Sequence, residues 1–205
     1  MNDNCEMIGG GRIMSVKEYW KEINKASDKV SSLINSYWHE HSNWNNWQFW
    51  IILIFLIVPL IVLLVKLDKN KTLQILFFGY TVHMLWTYTE LTLIRMGYMD
   101  HHYFILPFLP QAIGITSSFL PVSFMLLYQY CVKYDKNFLL WTSVLSAIIA
   151  FVLVSIEKQI GFLALLKGFN SFHIFLLDVA ITMLAYGLTN FFITFYKQDK
   201  SRTRA

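Results

Sequence analysis

From Trp47 onward the chain alternates long apolar runs with short breaks that carry charge or proline. Five runs approach the roughly 20 mainly apolar residues that a helix needs to cross hydrocarbon, at about 47–65, 73–94, 108–130, 138–156 and 172–196. Lipid offers no partner to backbone polar groups, so such a run must close its hydrogen bonds internally, as a helix. The pattern predicts an all-α fold, a five-helix transmembrane bundle over 47–196. Pro107 and Pro110 open the third run, and Pro121 inside it predicts a kink. Ile160–Leu166 is apolar but too short to cross, so it is expected to be interfacial or re-entrant.

Before Trp47 the pattern has a different period. Residues 1–14 form a polar leader, expected to be flexible around Gly9, Gly10 and Gly11. Ser15, followed three residues on by Glu18, makes a capping-box signal for a helix start. Val16, Ile23, Val30 and Tyr37 then recur every seven residues, with Tyr19, Ala26 and Leu33 on the adjoining seam and Lys17, Lys21, Glu22, Lys25 and Asp28 elsewhere. This predicts an amphipathic helix heading a segment, 15–46, that ends in a Trp-rich linker. Three partners suit the seam of residues 16–37: another copy of the chain or a partner membrane protein, the membrane surface, or the chain's own domain. Trp38, Trp44, Trp47 and Trp50 crowd the approach to the first run, as indoles do where headgroups meet hydrocarbon.

Composition narrows the class. The 205 residues are 56% hydrophobic and 15% charged, against roughly 45–50% and 25% in soluble domains. That excludes an ordinary globular enzyme in water and makes the lipid bilayer the first partner. A formal net charge of +4 would suit nucleic acid, but the basic residues sit at run ends and in the tails. Membrane topology explains that placement, and no nucleic-acid partner is expected. In a five-span arrangement Lys66, Lys69, Lys71, Lys133 and Lys136 share one side with Lys197, Lys200, Arg202 and Arg204 of the basic tail, 197–205. Arg95, Lys158 and Lys167 take the other. The imbalance puts the C-terminus in the cytoplasm and the N-terminal helix outside a cell membrane. Cys5 and Cys131 stand far apart, without disulfide or metal spacing.

Ionisable side chains inside spans are costly and so mark function. On the second run His83, Thr87 and Glu90 fall on one helical stripe, with Arg95 just beyond. On the fifth, Asp178 and Thr182 share a face with Ala185 and Thr189. The two runs are antiparallel, so Glu90 and Asp178 are expected at similar depth, on the same side as Arg95, His101, His102 and His173. This polar set has three uses open to it: helix-packing glue in which a carboxylate pairs with Arg95, a proton or ion pathway, or a metal site drawing on His101, His102 or His173. The histidine spacings fit no metal signature, no residue stands out as catalytic, and no cofactor is expected. Gly114 and Ser118 have the small-xxx-small spacing of closely packed membrane helices. The leading expectation is a non-enzymatic component of a membrane assembly. The alternative is a small transporter or channel through Glu90 and Asp178, and an intramembrane or metal-dependent enzyme comes third.

Trp47-Gln48-Phe49-Trp50, Val58-Pro59-Leu60, Phe78-Gly79-Tyr80 with His83, Pro107-Phe108-Leu109-Pro110 and the stretch from Pro121 to Gln129 together resemble a family of small multi-pass membrane proteins from Gram-positive, spore-forming bacteria. The resemblance covers about 44–196. It implies a bacterial plasma membrane and a compact bundle, and it carries over no activity, catalytic residue or ligand.

Overall fold

The computed structural model describes residues 14–202, with side chains through Phe195. The leader glycines, Cys5 and Arg204, with the side chains of Lys197, Lys200 and Arg202, lie outside the described residues. Helix α1, Val16–Tyr37, starts where Ser15 and Glu18 close a capping box: the Glu18 carboxylate accepts from the Ser15 N–H at 2.8 Å and Ser15 Oγ accepts from the Glu18 N–H at 3.3 Å. None of its 22 residues is buried. A wide π turn, Trp38–Ser42, then fastens the chain to the body. The Trp38 indole donates to the Ile105 carbonyl at 3.0 Å, and Ser42 Oγ accepts from the Phe104 N–H at 3.0 Å. Trp38 is therefore packed inside, while Trp44, Trp47 and Trp50 remain exposed.

Helices α2, Trp47–Lys66, and α3, Thr72–Arg95, follow. A wide turn, Ile115–Phe119, leads into α4, Leu120–Tyr134. Next comes a continuous rod in which the π turn Ile149–Leu153 joins α5, Phe138–Ile148, to α6, Val154–Gln159. The last helix is α7, Ser171–Arg202. Four of these stretches, Trp47–Lys66, Ile115–Tyr134, Phe138–Gln159 and Ser171–Phe195, are long and apolar enough to cross a membrane. The 24-residue α3 is long enough but more polar, and it occupies the centre, packed against α4 and α7. Its buried residues include Trp86 and Glu90, so its polarity points into the protein.

The expected third helix needs correction at its start. Residues 107–112 turn instead of coiling, with the Leu109 N–H on the Leu106 carbonyl at 3.0 Å. Pro107 and Pro110 supply no N–H and hold their predecessors out of the helical region. The kink at Pro121 takes the form of the wide turn. Pro121 has no N–H to offer the Ser117 carbonyl, and the backbone opens so that the Leu120 N–H reaches the Ile115 carbonyl. On this stretch Gly114 and Ser118 face α2. A Cβ on Gly114 would lie 2.5 Å from the Ile52 carbonyl, and Ser118 Oγ donates to the Leu56 carbonyl at 2.6 Å.

The described residues form a mostly helical, all-α fold with one small two-stranded sheet. Strand β1, Met99–His101, pairs antiparallel with β2, Leu163–Leu165, with Asp100 opposite Ala164. The second strand falls in the stretch expected to be interfacial or re-entrant. It is extended because β1 supplies the backbone partners that a short apolar segment cannot supply for itself. At the opposite end of α3 the core is aromatic: Phe78 stacks on Tyr128 and Phe138 on Tyr186, each with ring centroids 4.5 Å apart, and Gln74 donates to the Tyr128 hydroxyl.

Candidate functional site

The small sheet crosses the end of the body where α3 finishes, and it places His101 beside Glu90. His101 Nε2 lies 2.9 Å from Glu90 Oε1, close enough for an ion pair but not aligned as a hydrogen bond. The same carboxylate oxygen accepts the Ala112 N–H at 3.2 Å, from the turn that the two prolines hold open. Glu90 is 1% exposed, and its second oxygen, Oε2, has no hydrogen-bond partner. A buried carboxylate is costly unless its charge and lone pairs are met. Half of Glu90 is met.

A third group joins them. Glu157, in the last turn of the 138–159 rod, is 8% exposed and borders the same small cavity as Glu90 and His101, one of about 40 Å³. An adjoining apolar cavity of about 80 Å³ also reaches His101 and Glu157, and is walled by Ile51, Phe55 and Phe162. His101 further borders an open groove with Glu40, Asp100 and His102. Below that groove Tyr37 stacks on Phe104, and burial, with Tyr103 nearby, pushes its phenol above the usual tyrosine range.

Glu157 is the residue that the apolar runs missed, because the fourth run was ended at Ile156. Ala150, Val154 and Glu157 are all buried, and they fall at i, i+4 and i+7. That stripe is the signal that carries the helix one turn further.

The other expected site residues occupy separate environments. Asp178 is fully buried on α7, with Oδ1 accepting the Trp86 indole N–H at 3.0 Å and Oδ2 unpartnered. Thr182 donates its hydroxyl to the Asp178 backbone carbonyl, not to the carboxylate. Trp86 and Glu90 stand one turn apart on α3, about 6 Å along its axis, and the two carboxylates hold different partners. His83 Nδ1 lies 3.1 Å from the Thr116 carbonyl and 3.4 Å from Thr87 Oγ. Arg95 is exposed, and pairing of either carboxylate with it is replaced by His101 for Glu90 and Trp86 for Asp178.

The three candidate metal ligands are likewise separated. His102 Nδ1 meets the Gly161 carbonyl at 2.8 Å, and His173 meets Asn170 at the start of α7, with Nδ1 2.9 Å from Oδ1. Only His101 reaches the acidic cluster. Among the described residues no group of three or more His, Cys, Asp or Glu is placed to hold a metal ion. Chemically, two carboxylates and one imidazole around a small cavity can trade a proton or hold a cation. Compared with protein-family models, curated proteins and solved structures, the chain matches none of them.

Proposed function

We propose that this protein is a non-enzymatic, five-span component of a cell membrane that works by assembling through α1 with a second copy of itself. The observation behind this is the state of α1. Val16, Tyr19, Ile23, Val30 and Leu33 are all half or more exposed, on a helix with no buried residue that meets the body only at its Tyr37 end. A helix of this length draws most of its stability from packing its apolar face, so the seam needs an external partner.

The seven-residue period suits a partner helix, and the polar face mixes Lys17, Lys21, Lys25 and Lys29 with Glu22 and Asp28. A helix held by anionic lipid would carry a more one-sidedly basic face. A second copy in the same membrane presents the same seam, and two-fold pairing closes it.

The central α3 serves in this reading as the fifth span. Its 24 residues reach about 36 Å at 1.5 Å each, and inward-facing polar groups are what an enclosed span tolerates. The Lys and Arg distribution then puts the sheet end outside and the C-terminus in the cytoplasm. The resemblance to the family of small multi-pass proteins agrees with this placement in a bacterial plasma membrane.

A transport pathway through Glu90 and Asp178 is disfavoured by what lies beyond them. Phe78, Phe124 and Tyr128 are fully buried further along the body.

The test is disulfide crosslinking of full-length Val30→Cys protein in membranes, with Cys5→Ser as background. A crosslinked dimer is expected, and its absence would overturn the assembly reading. So would proton or ion flux in liposomes that Glu90→Gln and Asp178→Asn abolish. Protection of native Cys5 from an impermeant thiol reagent on whole cells would overturn the orientation.

A further inference from the structure

We infer that the Glu90, His101 and Glu157 cluster is a binding site for a small primary alkylammonium ion, with its nitrogen among the carboxylates and its alkyl chain in the apolar cavity against α2.

The balance of acceptors over donors points to a cation. Two carboxyl groups face one imidazole, so acceptor oxygens outnumber the donors around the cavity. Glu90 Oε2 is an acceptor without a donor at a residue 1% exposed, and His101 Nε2 beside it is likewise without a hydrogen bond. The other Glu90 oxygen is already engaged by His101 and the Ala112 N–H. An ammonium carries three donors. Glu90, Glu157 and Thr116 line one cavity, and their side-chain oxygens are the acceptors the proposed ammonium uses.

The walls select the kind of cation. A hard metal ion needs about six oxygen ligands, whereas most of the lining here is aliphatic or aromatic. The two cavities adjoin along His101, Ala112, Ile115, Leu153 and Glu157, and the proposed ligand extends from one into the other. Their volumes of about 40 and 80 Å³ suit a ligand of about five heavy atoms, since an apolar cavity of about 150 Å³ accommodates benzene. Phe162, with Tyr103 tilted against it at 4.9 Å, adds aromatic wall to the apolar cavity that takes the alkyl chain. Access runs past His101, which also borders the groove containing Glu40 and Asp100. Acidic side chains there raise the local concentration of cations.

Isothermal titration of the full chain in lipid nanodiscs tests this with three probes: n-butylammonium chloride, 1-butanol and sodium chloride. Saturable binding of n-butylammonium is expected, with 1-butanol at least tenfold weaker and sodium silent. Glu157→Gln is expected to weaken n-butylammonium at least tenfold while keeping the wild-type thermal midpoint, which separates loss of the site from loss of the fold. Glu90→Gln should do the same in whatever fraction remains folded. Equal binding of 1-butanol, unchanged affinity in Glu157→Gln, or no n-butylammonium binding to the wild type would each overturn the proposal. None of these measurements depends on the pairing of α1.

Discussion

The two ends of α3 solve the same packing problem in opposite ways. Where the helix begins, Phe78, Phe124 and Tyr128 are fully buried and neighbouring rings stack on one another. Where it finishes, Trp86 and Glu90 are also buried, yet they border a cavity and stand beside two unpartnered carboxylate oxygens, Glu90 Oε2 and Asp178 Oδ2. Aromatic rings ask only for contact, so that end can close completely. Carboxylates ask for donors and opposite charge, and the chain supplies fewer than they can use. One end is built for stability, and the other is left chemically unfinished.

Substitutions can break this comparison. The largest effect is expected at the ring-filled end. Tyr128→Ala removes a ring stacked on Phe78 and should cost about 3–5 kcal/mol, read as a lowered unfolding midpoint in detergent. A loss below that range would mean that the rings contribute no more than loose packing.

At the junction of the two ends, Trp86→Phe keeps an aromatic ring, with some loss of volume, but leaves Asp178 without its side-chain donor. About 1–3 kcal/mol of destabilisation is expected from an orphaned buried acceptor, and no change would show that Asp178 is satisfied by another group. Glu157→Gln at the polar end should shift the midpoint by less than about 1 kcal/mol, because removing a charge from an incompletely paired buried cluster is close to neutral. A large loss there would mean that the cluster is structural glue.

The smallest effect on stability belongs to α1. Val30→Ser should change the midpoint by no more than about 0.5 kcal/mol, as exposed positions do. It should nonetheless abolish pairing measured by crosslinking through a cysteine at Ile23.

The helices were legible because a long apolar run leaves the backbone no other way to meet its own polar groups. The start of α1 was legible too, from Ser15 and Glu18, since a capping box is a contact within four residues. Glu90 and Asp178 stood out as ionisable groups in apolar surroundings. Their partners did not. His101 reaches Glu90 because β1 pairs with a strand more than sixty residues away, and no local period encodes that pairing. Trp38 carried the signal of a membrane-interface indole, but the turn at Ile105 claimed it. Glu157 was overlooked because a charge next to an apolar run looks like the end of a span, and burial of a charge depends on what folds over it.

The sequence by itself determined which segments are helical, how α1 begins, and that the chain carries polar groups where water is scarce, because each of these follows from contacts within a turn or two. Only the tertiary structure decided which of those groups meet. That depends on helix rotation and on one two-stranded pairing across the end of the body, where a displacement of α3 by one turn would carry Glu90 to the level that Trp86 now holds beside Asp178.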